Sequence, residues 1–418
     1  MSRLKIRLLF ISLLFLSLYL FRLYSVQFRS RGIPDQARVR LVGRVSQQPY
    51  LKGSNQIMMV NGFSIRTGRF PGYFYGQKLE IVGRVTKRVI NPLKSQFVLY
   101  YPVIQALPQT PDSIDKTAFV RVLFKIRGHF EKLFSRVLPE PQASLLAGIL
   151  LGAKREMPQD FLEALRKTGT LHIIVASGYN ISVVAGFLVS GLVRLVSRKK
   201  ALILAFLGII AYTLMAGAEP PVVRAAIMGS LTYWAQYLGR EKNAITALVF
   251  AAVVMLLVSP LILFDIGFQL SFLATAGILF LYPRLQGRIF KLPLLGDDLK
   301  VTLAAQIATL PILVLNFGQI SFISPLINAL VLPITPLIMF LGALVIGSGL
   351  LFWPLAQFIA WLTWVPLTYF VKLIEGFSNL AWVSFSIDRL SIWWAVGYYF
   401  LIGLWLLKTK SSKSSSLA

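Results

Sequence analysis

Three residues able to do chemistry, His172, Ser177 and Asn180, stand in the stretch GTLHIIVASGYNIS, and the apolar run VVAGFLVSGLVRLV follows directly. Polar side chains cost free energy in a segment long enough to cross a bilayer, so each marks a candidate functional position. Four further groups lie downstream: Glu219 with Arg224 in AGAEPPVVRAA, Asp265, Gln269 and Ser271 in FDIGFQLSFLATAG, Gln306 with Asn316, and Asn328 between the prolines of SPLINALVLPITP. At roughly 100° per residue an unbroken helix puts His172, Ser177 and Asn180 on one broad face and Gly178 opposite, where a neighbouring helix could approach closely. Serines and asparagines also glue helices together, but that role calls for neither an arginine nor two carboxylates.

As a hydrolytic pair His172 and Ser177 fail on geometry. Residues five apart on one helix point about 140° away from each other, and a serine nucleophile needs its base within hydrogen-bond reach. The local VASGY is no nucleophile elbow. The chain has no cysteine, and its other histidine is His129, so thiolate sites and histidine-rich binuclear metal sites are excluded. No catalytic residue, metal or cofactor is expected.

The elements that must position these groups are mostly helical. With 418 residues, 56% apolar and only 14% charged, the chain reads as a polytopic α-helical membrane protein. Residues 1–28 form an N-terminal membrane helix, about 8 to 26, retained because no small-residue cleavage site follows. Residues 112–168 read as interfacial helices: Phe119, Val122, Leu123, Ile126, Phe130, Leu133, Phe134 and Val137 recur at helical spacing, with Arg127 and its fellow cations largely off that stripe. Residues 169–408 hold nine further spans, about 169 to 195, 201 to 217, 220 to 238, 243 to 258, 264 to 282, 299 to 317, 324 to 349, 354 to 373 and 391 to 407, and 409–418 form a basic tail. With both termini cytoplasmic, the basic loops SRKK, GREK and PRLQGRIFK all fall inside, which supports about ten transmembrane helices.

Residues 29–108 differ in kind. RVRLVGRVS and KLEIVGRVT repeat a strand pattern, Asn61-Gly62 signals a type I′ hairpin, and QFVLYYPVIQ supplies a further strand. About five strands suggest a small external all-β barrel, OB-like, with Gly43 and Gly83 at bulges or corners. Thirteen lysines and arginines there face only Asp35 and Glu80. Arg40, Arg44, Lys52, Arg66, Arg69, Arg84 and Lys87 lie among Phe63, Tyr73, Phe74, Tyr75, Tyr100 and Tyr101. Cations for phosphates and rings for stacked bases describe a single-stranded nucleic-acid binder. A basic barrel resting on anionic membrane lipid explains the same residues. The net charge of +27 fits an anionic partner, although positive-inside loops supply part of it.

The stretch LLAGILLGAKREMPQDFLEALRKTGTLHIIVASGYNISVVAG resembles the signature of the ComEC-type competence proteins, and PPVVRAAIMGSLTYWAQYLGR, DIGFQLSFLATAGILFLYPRL and LPILVLNFGQISFISPLINALVLP follow in the order of that family's motifs. The resemblance covers nearly the whole chain. It implies a cell-membrane channel that imports one strand of transforming DNA, with single-stranded DNA first held on the external barrel. His172, Ser177, Gly178, Asn180, Glu219, Arg224, Asp265, Gln269, Ser271 and Asn328 become candidates for the polar pathway. Two departures stand out: Asn180 replaces a histidine found in many members, and the metallo-β-lactamase-like domain of longer members is not expected here, since no histidine follows His172. The expected protein is therefore not an enzyme. It depends on a DNA receptor, a separate nuclease and a cytoplasmic ATPase, since no Gly-x-x-x-x-Gly-Lys-Ser/Thr loop is present, and self-association stays open. A transporter for another substrate, a structural membrane protein and an intramembrane hydrolase are the rival readings.

Overall fold

The computed structural model describes residues 15–25, 34–91, 94–108, 118–153, 157–174, 177–241, 243–285, 296–380, 383–386 and 391–414. It is mostly helical, with one small β module near the N-terminus. Helix α1 is residues 15–25; the first half of the expected N-terminal span lies outside the described residues.

The module contains β1 (Arg38–Arg44), β2 (Tyr50–Lys52), β3 (Asn55–Val60), β4 (Phe63–Gly68), β5 (Lys78–Asn91), β6 (Lys94–Tyr100) and β7 (Val103–Ala106). The order is β1-β5-β6-β4-β3-β2, with β7 also on β5. All pairs are antiparallel except β4 with β6. The sheet curls until the continuation of β1 meets β3: Val45 bridges Val60 and the Ser46 amide donates to Met59 O at 2.8 Å. The Asn61-Gly62 turn carries positive φ at both residues, +50° and +85°, as a type I′ hairpin requires. Alternation places Met58 and Val60, Phe63 and Ile65, Leu79 and Ile81, and Phe97 and Leu99 inside.

Two expectations change here. The strands number seven, because QFVLYYPVIQ breaks at Tyr101-Pro102 into β6 and β7 and the short β2 is added beside β3; β1, β5, β6, β4 and β3 make the closed ring. Gly43 and Gly83 sit in regular register opposite Leu79 and Val39, and the irregularity falls between Val89 and Asn91. Their role is close approach: a Cβ on Gly43 would come within 2.6 Å of the Asn61 side chain, and one on Gly83 within 2.8 Å of Pro102.

The helices follow as α2 (Ala118–Val137), α3 (Gln142–Leu151), α4 (Gln159–Lys167), α5 (Leu171–Ile174), α6 (Gly178–Leu192), α7 (Arg198–Met215), α8 (Pro220–Tyr237), α9 (Ala244–Val258), α10 (Ile266–Phe280), α11 (Tyr282–Leu285), α12 (Gly296–Phe317), α13 (Ser324–Val331), α14 (Thr335–Leu351), α15 (Trp353–Ser378) and α16 (Ile392–Ser414), with a short hairpin of β8 (Gln319–Ser321) and β9 (Ser384–Ser386). Four stretches among the described residues are long and apolar enough to cross a membrane: Leu171–Leu192, Asp297–Phe317, Ser324–Leu351 and Trp353–Ser378. Shorter apolar helices accompany them, and a membrane protein is the reading that fits.

The main core gathers the C-terminal half of α2, all of α3 and facing residues of α4, α13, α14 and α15 around Phe134, Leu145, Leu146, Ile149 and Phe370. Helix α2 divides the stripe expected of it: Leu133, Phe134 and Val137 are buried, whereas Phe119, Val122 and Ile126 remain exposed.

Close approach and backbone repair hold α10, α12 and α16 together. A Cβ on Gly277 of α10 would lie 2.5 Å from Ala304 O, so only glycine fits. Pro311 lies inside α12 and has no amide to donate back to Ile307 O. Tyr398 of α16 donates its hydroxyl to that carbonyl at 2.9 Å, and Tyr399 donates to Ala308 O at 3.0 Å. Freed carbonyls at membrane depth need such partners. Tyr398→Phe should therefore lower stability by about 1–3 kcal/mol, the cost of an unpaired buried carbonyl, read as a reduced melting temperature of the detergent-solubilised protein.

Candidate functional site

Each polar cluster sits where a helix begins, breaks or touches another. Helix α6 does not continue α5. It starts at Gly178 behind Ser177, whose extended backbone and hydroxyl form the N-cap, and the Ser177 hydroxyl also donates to Asn180 Oδ1 at 3.2 Å. The single continuous face expected for His172, Ser177 and Asn180 is thus interrupted. Asn180 is 1% exposed, and its Nδ2 donates to Ile149 O of α3 at 2.9 Å. His172 Nδ1 pairs with Gly169 O at 3.0 Å, one turn back. Gly178 does provide the close approach expected of it: a Cβ there would meet the Arg224 guanidinium at 2.8 Å and Ala225 at 3.2 Å.

Arg224 projects from α8 to α10. Its Nε donates to Ser271 Oγ at 2.6 Å, and Nη1 to Thr275 Oγ1 and to Met228 Sδ. Among the described residues no carboxylate pairs with the guanidinium. Ser271 and Thr275, four apart, lie on one face of α10, and that face points at α8. Asp265 caps the same helix by accepting from the Phe268 amide at 3.1 Å.

These groups surround one large cavity of about 2290 Å³, more than twice the upper range of pockets that hold drug-sized ligands. His172, Ser177, Gly178, Asn180, Glu219, Arg224, Asp265, Ser271 and Asn328 all line it. Gln269 does not; its amide donates to Leu263 O at 2.9 Å and ties α10 to the preceding turn. Gln306 joins the wall and donates to Ser321 O, while Asn316 turns away to Ile312 O of its own helix. Asn328, 3% exposed, donates to Ser324 Oγ at 3.4 Å. Thr275 is a lining residue that the sequence reading missed, though its spacing from Ser271 was a usable signal.

The greater omission is Arg127. Off the apolar stripe of α2, it read as a surface cation, yet it is 6% exposed. Its Nε pairs with Glu131 at 2.8 Å, Nη1 donates to Met215 O at 2.9 Å and Nη2 to Gly152 O at 3.0 Å. It therefore satisfies carbonyls at the C-terminal ends of α3 and α7, where a cation is also favoured by the helix dipole. Among the described residues the charged lining comprises Arg69, Arg127, Arg166 and Arg224 against Glu131, Glu140, Glu219 and Asp265.

The β module reaches this cavity. Gln47 to Leu51, between and within β1 and β2, and Arg69 after β4 line its mouth, and Tyr75 packs edge-on against Phe124 of α2 at 5.0 Å. The basic candidates on the module separate accordingly. Tyr75 is used in this docking, and Tyr73 packs against the module core as Phe63 does. Arg40 pairs with Glu80, and that hydrogen bond raises its pKa. Arg84 stands directly opposite Arg38, and Arg44 opposite Lys78, two like-charge pairings that a sheet ordinarily avoids. Lys87 donates its backbone amide to Asp35, and the side chain of Lys52 lies outside the described residues. Arg66 lies over the Tyr100 ring at 5.3 Å and Arg69 over Phe70 at 5.9 Å. Phe70, Tyr100 and Tyr101 are exposed beside them.

A helical bundle with a polar internal cavity, joined at its mouth to a basic β module, is the class of molecule these features define. The sequence matches the competence protein family model over residues 149–411, and the chain belongs to that family. ComE operon protein 3 of Bacillus subtilis is 32% identical over 220 residues, 50% of this chain and 27% of the relative. Competence protein ComA of Neisseria gonorrhoeae is 28% identical over 245 residues, 55% and 34%. An uncharacterized protein of Aquifex aeolicus is 29% identical over 210 residues, 50% and 48%. The chain thus spans about a quarter to a half of the length of the curated relatives it matches. No solved structure matches it.

The geometry separates a brace from a wall residue. Asn180→Leu leaves the Ile149 carbonyl unpaired inside the core and should cost about 1–3 kcal/mol, visible as reduced accumulation in the membrane. Arg127→Met takes one partner from Glu131, leaves two helix-end carbonyls without their donor and should cost about 2–4 kcal/mol, measured by thermal unfolding beside the wild type.

Proposed function

We propose that this protein conducts single-stranded DNA across the cell membrane during DNA uptake, with the β module holding the strand outside and the bundle cavity passing it inward. Membership of the competence family implies involvement in DNA uptake for competence. The observation that carries the finer reading is the continuity of one cavity wall, from Gln47 to Leu51 and Arg69 on the module to Arg224, Ser271 and Thr275 inside the bundle. A polyanion cannot cross hydrocarbon, so such a path must be wet and polar.

Helices at each of the nine downstream positions expected from the sequence, together with α1, support ten crossings with both termini cytoplasmic. Five strands that close through the Val45 to Val60 bridge, with one parallel pair between β4 and β6, support an OB-like barrel. On it, Arg66 stacked over Tyr100, with Tyr101 and the Arg69-Phe70 pair alongside, is the face suited to a single strand: rings stack bases of any sequence, and the guanidiniums meet phosphates. Tyr101 also donates to Asn55 at 2.7 Å, which fixes its ring. Neither ATP-driven motion nor strand degradation is assigned to these residues. A cytoplasmic ATPase, a nuclease and a DNA receptor are the proposed partners.

Carboxylates as numerous as arginines among the described lining residues favour one rival, transport of a small cationic or zwitterionic substrate. A hydrolytic reading has less support, since the Ser177 hydroxyl is engaged in capping and His172 bonds a turn carbonyl.

Two measurements separate these readings. The full-length protein in detergent should bind fluorescent single-stranded DNA with an affinity that falls steeply with salt. Arg66→Ala should flatten the log-log slope by about 0.7, the share of one phosphate contact, and Tyr100→Ala should weaken binding about tenfold or more, the equivalent of about 1–3 kcal/mol of stacking. Binding that is absent at low salt rules out the module's assigned role. Arg224→Met, in a protein that accumulates normally, should reduce uptake of labelled DNA by cells at least tenfold; unchanged uptake leaves the small-substrate reading standing.

A further inference from the structure

Away from the polar cavity, α7, α8 and α9 enclose a second groove of about 530 Å³ on the outer side of the bundle. Its walls are Phe206, Ile210 and Leu214 of α7, Val223, Ile227 and Leu231 of α8, and Phe250 of α9, and its polar lining residues are only Thr213 and Ser230. Thr213 spends its hydroxyl on Ile209 O within its own helix. One end of the groove is formed by Trp234. That ring stacks on Tyr237 at 5.7 Å, and Lys199 Nζ stands 5.9 Å from the Tyr237 ring centroid. The apolar trough therefore runs into a tryptophan, then a tyrosine, then a cation.

More cations lie at that end. Arg198 and Lys200 flank Lys199 in the first turn of α7, and Arg240 follows α8; all four are exposed, and Glu241 is the one carboxylate beside them among the described residues. Three cations in a helix's first turn oppose its dipole. An anion at this rim offsets that cost. The SRKK and GREK loops are also those that the charge pattern puts on the cytoplasmic side, where anionic lipids are available.

We propose that this groove and its rim are a binding site for an anionic phospholipid, one acyl chain lying against Phe206, Val223 and Phe250 and the headgroup phosphate held by Lys199 and its neighbouring cations. The aromatic pair fits the order from hydrocarbon to headgroup, since tryptophan and tyrosine favour the interface between them. A second protein helix would bury the trough equally well, but it leaves the four exposed cations without a partner. Lipid supplies both parts in one molecule. The inference rests on the membrane placement of α7 and α8 and not on what the polar cavity conducts.

The test uses the full-length protein in liposomes and reads the fluorescence of Trp234 as the difference between wild type and Trp234→Phe. Brominated acyl chains quench a nearby indole. Quenching by brominated phosphatidylglycerol is expected to exceed that by brominated phosphatidylcholine at least twofold. That preference should disappear in the triple variant Arg198→Gln, Lys199→Gln, Lys200→Gln, and quenching by both lipids should fall in Ser230→Phe, which fills the trough. Equal quenching by the two lipids leaves the helices in the membrane but overturns the site. Quenching by neither overturns the placement itself. A preference retained by the triple variant, or abolished by added inorganic phosphate, likewise overturns a lipid headgroup as the ligand of the rim. None of these outcomes depends on DNA binding or uptake.

Discussion

Arg127 sets the frame in which the cavity exists. Two helices, α3 and α7, end with carbonyls that have no partner in their own helix, and both end inside the molecule. One guanidinium from α2 accepts that burden by donating to Gly152 O and Met215 O, with Glu131 balancing its charge. A buried carbonyl left unpaired costs as much as several good contacts return. Because the two ends are held, the chain beyond each is free to leave helical geometry. The segment after Gly152 leads to α4 and the GTLH turn, and the segment after Met215 is the AGAEPP turn. Both become cavity wall.

The same logic recurs at other breaks around the wall. Ser177 caps α6 where α5 has ended, Asp265 caps α10, and Tyr398 takes up the carbonyl that Pro311 releases. Irregular backbone at membrane depth is tolerated where it lines a cavity or is repaired by side chains. Here both conditions hold at neighbouring positions. The prolines and small polar residues that look like isolated exceptions along the sequence are one device, seen from several helices.

Much of this was legible in the sequence because rarity is informative. In an apolar chain a polar residue has few reasons to exist, and nine of the eleven polar residues singled out downstream of residue 168 line one cavity. Helix positions were legible from apolar run lengths, and the Asn61-Gly62 hairpin from turn chemistry. What escaped was long-range. The one local sign of Arg127 within α2 is Glu131 four residues on; its other partners are carbonyls 25 and 88 positions away. Tyr73 and Tyr75 look like base-stacking rings in composition, but only the fold shows that one packs inward and the other docks on Phe124. Gln269 stands within a polar motif yet serves the turn before it. The interruption between His172 and Ser177 escaped because helix periodicity is measured on the assumption of an unbroken helix.

Charge balance bears on how such a cavity could pass a polyanion. A lining made mostly of arginine would bind phosphates tightly and release them slowly, and conduction needs sites that are favourable to occupy yet easy to leave. Among the described residues four arginines are set against four carboxylates, which lowers the mean attraction, while Arg224, whose partners include two hydroxyls, keeps one strong local contact. Retention can then be the work of the β module, where the like-charge pairing of Arg38 with Arg84 across β1 and β5 concentrates positive potential. Under the proposed function, a strand is held firmly at the mouth and weakly within.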